Sequence, residues 1–279
     1  MKKALILSLI VLAAAFAPNA AKAQEFDDYF ENKTLRLDYI FAGDAVFQDV
    51  FLKGKSITGD WAGRRVNLSE VPVEGNGEIT VKDKASGTVI YRNTFSSLFQ
   101  EWVCEEEAKY VCRSFENTFL VPMPREDVIV TVELRGNRRQ RTAFFEHEIS
   151  PKDILIKNYV PAELPPFKYI HRGGTSREAI DVAIVAEGYT EQEMALFYRD
   201  AQSAVDAIFS HQPFGRMRDK FNFIAVAVPS GESGVSIPRN NEWKSTAVDS
   251  HFDTFYMERY LTTSIVFKLH DHLVGIPYE

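Results

Sequence analysis

Residues able to do chemistry fall in a few short stretches. His147-Glu148-Ile149-Ser150-Pro151 begins like a zinc-protease helix. In such a helix, His-Glu-x-x-His sets two histidines one turn apart to hold the metal, and the glutamate activates the bound water. The second histidine is absent here and Pro151 stops a helix, so the match is discarded. Gly231-Glu232-Ser233-Gly234 approaches a nucleophile elbow, Gly-x-Ser-x-Gly on a sharp strand-to-helix turn, but its second glycine comes one place early. Asp249, His251 and His272 could complete a Ser-Asp-His order, a combination that also arises by chance; the competing reading is a mobile loop after a strand. His251 with Asp249 and Asp253, and His270-Asp271-His272, have metal-ligand composition. His270 and His272 diverge on a helix and share a face only on a strand. A solvated polar surface is the default for both clusters. Cys104 and Cys112 have no histidine beside them and make a poor zinc site. A disulfide between them stays open as a possibility. The intervening residues read as helical, and eight helical residues span about 12 Å, too far to bridge unless the helix ends before Cys112. None of these stretches supports assigning a catalytic residue or a metal ligand.

The elements that must position such residues change character along the chain. In the second half, residues 180–186 are a nearly continuous apolar run, the mark of a strand covered on both faces, and residues 221–228 are another. Between them Thr190-Glu191-Gln192-Glu193 is a capping box. It opens a helix whose Met194, Phe197, Ala201, Ala204, Val205 and Ile208 recur at helical spacing. This β-α-β grammar predicts an open α/β domain, with a further helix over 253–261 and a possible third strand over 264–267. Side chains converge beyond the carboxyl ends of parallel strands. Glu187 and Tyr189 after the first strand, with Ser230, Glu232 and Ser233 after the second, are therefore the candidate cleft-lining residues.

The first half alternates instead. Residues 34–41, 78–82 and 89–92 have period two, and 117–121, 128–134 and 142–149 read as further strands between turn signals. That spacing predicts a β-sandwich interrupted by one helix over 97–108. Trp61, Phe95, Phe99, Trp102 and Phe119 read as core residues ahead of a carbohydrate-binding face. The stretch Tyr159 to Pro166 has three prolines in its last six residues, so it reads as an extended linker and places the boundary near Pro165.

The chain's ends and balance narrow the class. It has 279 residues, 45% hydrophobic and 25% charged, which suits a globular protein with a substantial core. The formal charge is -7. The arginine run Arg138-Arg139 with Arg141 is short and flanked by acids, and an acidic surface argues against nucleic acid as a partner. Lys2-Lys3, an apolar stretch to Ala17 and Ala21-Lys22-Ala23 form an export signal over residues 1–23, with the mature chain starting at Gln24. The apolar stretch is too short to span a bilayer. The expectation is a periplasmic or extracellular protein without a membrane span in its mature form.

Several segments carry a resemblance. Residues 181–190 (DVAIVAEGYT), Phe197-Tyr198, 206–214, 221–223, 229–238 (PSGESGVSIP) and 252–263 resemble the IgA peptidase family of exported bacterial zinc metallopeptidases. In the first half, 87–92, 96–102 (SSLFQEW) and 115–122 (FENTFLVP) resemble that family's N-terminal sandwich. The resemblance implies zinc as cofactor, a protein or peptide substrate, and endopeptidase chemistry. It also implies that the zinc-binding His-Glu-x-x-His helix and its further acidic ligand lie beyond Glu279, so no residue of this chain is assigned to the metal.

The expected fold is multidomain: residues 24–164 an all-β sandwich accessory domain, and 165–279 the N-terminal, incomplete part of an open α/β metallopeptidase-like domain. That incomplete part should leave an unpaired strand edge and an exposed apolar patch. The expected function is the N-terminal portion of a secreted zinc-dependent endopeptidase, inactive as given. The alternative is a non-catalytic exported binding or adhesion module acting through the sandwich. An in-frame His-Glu-x-x-His after the codon for Glu279 would separate the two.

Overall fold

The computed structural model describes residues 25–71, 73–136, 138–159 and 163–278. The expected export signal lies outside them. The described chain is mostly β, in three sheets. After a short helix α1 (Phe26–Tyr29) come strands β1 (Phe30–Gly43), β2 (Gln48–Ile57), β3 (Gly77–Asp83) and β4 (Val89–Phe95). Helix α2 (Leu98–Trp102) precedes β5 (Arg113–Pro124), β6 (Val128–Arg135), β7 (Arg141–Ile149) and the two-residue β8 (Lys157–Asn158). One sheet has the order β5-β1-β2-β8, the other β4-β3-β6-β7. The alternation in β1 has a direct outcome: Leu35, Leu37, Tyr39 and Phe41 are fully buried on one face. They meet Ile79, Val81, Val130, Val132 and Leu134 of the second sheet in a single core, which Phe99 and Trp102 help to fill. Trp61 is buried there too, while Phe95 and Phe119 pack against this core and stay partly exposed.

The helix expected over 97–108 is broken. Ser97 caps α2 by accepting the Gln100 N–H, α2 stops at Trp102, and a separate 3-10 turn covers Glu106–Lys109. The turn lets Ala108 and Trp102 both reach the core, which a straight helix of that length would not.

The third sheet, in order β10-β11-β9, is built from β9 (Phe167–Arg172), β10 (Ile180–Val185) and β11 (Phe221–Val226). β10 and β11 are parallel, in register from Ile180 opposite Phe221 to Val185 opposite Val226. β9 runs antiparallel to β11. Helix α3 (Met194–Ser210) crosses between the parallel strands and covers one sheet face through Phe197, Ala201, Val205 and Phe209. This stripe is narrower than the sequence spacing suggests, since Ala204 and Ile208 are exposed. The other face packs against Ala247, Leu273 and Ile276, around helix α4 (Val266–His272).

Two sequence expectations for this half fail. Residues 253–261 contain only a 3-10 turn, Thr254–Tyr256, because Asp253, Phe255 and Tyr256 have φ of 61°, 53° and 62°, which no right-handed helix accepts. Residues 264–267 lead into α4 rather than forming a strand. The third strand is β9, whose residues follow Pro165-Pro166 directly, where the sequence shows mainly a linker. β10 pairs only with β11, and no described residue pairs with its outer edge; Ile180 there is half exposed. No helix among the described residues is long and apolar enough to cross a membrane.

The halves touch through α4. The Arg36 side chain, on the outer face of β1, is almost fully buried. Its Nε donates to Asp38 at 2.8 Å, Nη1 to Asp271 at 2.5 Å and Nη2 to the Phe267 carbonyl at 3.0 Å. The Phe267 N–H donates to Glu116 at 2.8 Å, and the Gly275 N–H to the Thr58 carbonyl at 2.8 Å.

Candidate functional site

Parallel pairing sends the chain out of β10 and β11 at the same end, and there the two exit loops are tied together. The Ser230 N–H donates to the Tyr189 carbonyl and the Gly234 N–H to the Gly188 carbonyl, each at 2.8 Å. Gly188 has φ +76°, and a Cβ on it would stand 2.6 Å from the Gly234 carbonyl oxygen, so only glycine lets the loops close this tightly. The buried Ser230 hydroxyl accepts the Gly188 and Ala247 N–H groups, both at 2.9 Å. It is a brace rather than a nucleophile.

Glu187 is the centre of the rim. One carboxylate oxygen accepts from the Thr246 hydroxyl at 2.5 Å and from the Ser250 hydroxyl and N–H at 2.6 and 3.0 Å. The other accepts the Val248 N–H at 2.8 Å. Burial pushes this carboxyl up, but those hydrogen bonds from Ser250, Thr246 and Val248 outweigh it and hold it below its ordinary value. Glu187 is therefore an ionised clamp on the 246–250 segment, with no capacity left to act as a base.

The remaining rim residues are engaged similarly. Tyr189 donates its hydroxyl to Asp200 at 3.0 Å and packs on the Phe197 ring. Burial, and then the Asp200 carboxylate, raise its pKa. Glu232 accepts the Ser245 N–H at 2.7 Å. The Ser233 hydroxyl donates to Glu193 at 2.8 Å, and the same Glu193 closes the capping box with Thr190. The five residues singled out in the sequence thus share one rim. Apart from Asp249, the sequence did not mark the 245–250 segment that the rim holds. Its run of small polar residues is the one available signal, and only the fold brings it to Glu187.

The other candidates are dispersed. Ser233 contacts Glu193 and no histidine, so no Ser-His pair forms. His251 faces the Phe252 carbonyl at 2.6 Å, His272 the Ala247 carbonyl at 3.1 Å, and Asp249 pairs with Lys268 at 3.6 Å. His147 stands on β7 with Nε2 against the Tyr39 hydroxyl at 2.7 Å, and Glu148 pairs with Lys84. His270 and His272 do lie on a helix, and His270 meets the Tyr278 hydroxyl at 2.7 Å. Among the described residues no group of three or more His, Cys, Asp or Glu could hold a metal ion. No disulfide joins Cys104 and Cys112, although the helical turn does end before Cys112. Each thiol is turned to its own acceptor, Cys104 to the Gln100 carbonyl at 3.6 Å and Cys112 to Asp44 at 3.5 Å.

Two family models match the chain. One, described as Peptidase M64 N-terminus, matches residues 25–146. The other, described as IgA Peptidase M64, matches residues 169–278. No curated protein matches.

Proposed function

The chain belongs to the IgA peptidase M64 family, a family of metallopeptidases, and from that premise we propose that it is the N-terminal portion of an exported zinc-dependent endopeptidase. In this reading residues 24–164 are a β-sandwich accessory domain. Residues 165–279 are the front of the catalytic α/β domain, and the substrate is a protein or peptide. The observation that carries it is the platform at the carboxyl ends of β10 and β11, because parallel sheets place their substrate sites beyond that edge. Glu187, Ser230 and Gly188 hold the platform's loops rigid, so that its exposed residues keep fixed positions toward a bound chain.

The described residues do not fit zinc. A zinc site needs three or four convergent ligands. His147, His270 and His272 sit apart, and each has a ring nitrogen on a hydroxyl or carbonyl partner. Peptide hydrolysis therefore calls on a metal-binding segment that these residues do not supply, and by themselves they are inactive.

Metal analysis and a peptide-digestion assay on the purified full chain test this reading. The expected result is far less than one zinc per molecule and no hydrolysis on adding zinc. A stoichiometric, chelator-sensitive zinc, or hydrolysis that a chelator abolishes, would overturn it. N-terminal sequencing of the exported protein should begin at Gln24; a retained Met1 would remove the export part of the reading.

A further inference from the structure

We propose that the cavity between the paired sheets and α4 is a binding site for a small, uncharged aromatic molecule. The cavity measures about 440 Å³. Trp61, Tyr91, Phe95 and Phe119 come to it from the sheet side, Val266 and Leu269 from α4. Ligand sites are concave, mostly apolar, and often lie between structural units. A closed apolar cavity of ~150 Å³ already takes a benzene ring, so this one has room for roughly two linked or fused rings.

The wall selects the ligand's chemistry. No Asp, Glu, Lys or Arg lines the cavity. Its histidine, His270, is held at about 4 by burial and by the nearby Arg36 charge, so it is neutral at neutral pH. Several polar groups along the wall already have protein partners. His270 meets Tyr278, the Thr118 hydroxyl donates to Asp38 at 2.7 Å, the Thr94 hydroxyl donates to the Val73 carbonyl, and the Asn117 amide donates to the Phe115 carbonyl at 3.3 Å. An ion would be desolvated without compensation. A peptide would bring an amide with every residue and find few spare partners. Aromatic rings face the same wall with no such cost and pack edge-to-face on Phe95, Phe119, Trp61 and Tyr91. Because both halves of the chain form the wall, occupancy should also strengthen their docking.

Titration of the full chain with N-phenyl-1-naphthylamine, an uncharged fluorescent two-part aromatic, tests the site. The expected result is saturable one-to-one binding that raises the melting temperature. Leu269→Trp fills the cavity and should weaken binding at least tenfold. Ser96 is exposed at the mouth, so Ser96→Trp should fold normally and weaken binding likewise, which keeps the test valid if the first variant does not fold. Absence of saturable binding would overturn the proposal. So would unchanged affinity in Ser96→Trp, which would put the dye on exposed surface such as Val46-Phe47. Displacement by an aromatic tripeptide at lower concentration than by naphthalene would overturn it in favour of a peptide subsite.

Discussion

Glu187 illustrates how a carboxylate in a promising position can be wholly structural. It sits where sheet topology gathers reactive groups, but four hydrogen bonds from three residues saturate it. Replacing it by glutamine keeps the shape and removes the charge, and one amide NH₂ then faces donors it cannot accept. Glu187→Gln should therefore destabilise the protein by about 1–3 kcal/mol, within the range for a charged hydrogen-bonding group left mismatched. Thermal or urea unfolding of the variant measures this. Hydrogen exchange should localise the loosening to residues 246–250; an unchanged rim would mean that the clamp is dispensable. Tyr39 and His147 form another such pair, polar groups inside an aromatic cluster that serve each other.

At the scale of elements, α4 matters most because it joins the halves with few residues. Its docking centres on a buried guanidinium that bonds Asp38 on its own strand and both Asp271 and the Phe267 carbonyl across the junction, beside the Phe267 N–H bond to Glu116. Burial lowers the Arg36 pKa, but its two carboxylate partners outweigh that and raise it, so the charge stays. Arg36→Met should cost about 3 kcal/mol, the scale for removing one partner of a buried pair. Asp271→Ala should cost under about 1 kcal/mol, because that carboxylate is half exposed and screened. Unfolding midpoints of the two variants check the inequality. Equal losses would mean that Arg36 acts through packing alone. The α3 stripe of Phe197, Ala201, Val205 and Phe209 shows the simpler case, in which strict i, i+4 spacing seats the helix on the sheet.

Across the whole molecule, two buried histidines set how acid acts on stability. His147 is lowered to about 4 by burial, against a bond at the Glu148 backbone and with help from Lys55. His270 is lowered to about 4 by burial and then by Arg36, against Asp271. Both lie below the ordinary value of 6.5, so the unfolded chain binds more protons between pH 6.5 and 4. Stability is present above that window and is lost as pH falls through it. Each histidine accounts for about 3 kcal/mol, so the combined loss should be on the order of 6 kcal/mol. Below it, Glu187 and other carboxylates held under their ordinary values add to the loss. Urea midpoints from pH 7 to pH 4 should fall steadily in the parent and flatten when both histidines are changed to glutamine. An unchanged slope in that double variant would assign the acid sensitivity elsewhere.

Local pattern determined a large part of this protein from the sequence. Period-two alternation identified β1, β3 and β4, because a strand must present one face to the core. Apolar runs found β10 and β11, the capping box set the start of the α3 region, and the chain's family followed from local text. Their shared exit edge was legible too, since a β-α-β unit pairs its strands in parallel. What tertiary structure decided was each side chain's partner. The backbone between 249 and 256 turns left-handed at Asp249, Asp253, Phe255 and Tyr256, and Phe255 packs against the first core, which no helical propensity of those residues foretells. β9 forms because β11 offers a free edge to whatever segment passes it. Glu187 looks in sequence like a free carboxylate; the 246–250 segment, some sixty residues away, makes it a clamp. Arg36 reads as the polar half of an alternating strand and becomes a buried anchor only when α4 is laid over it. Hydrogen bonds between groups so distant in the chain are set by the packing of the sheets, and no window of local sequence contains both partners.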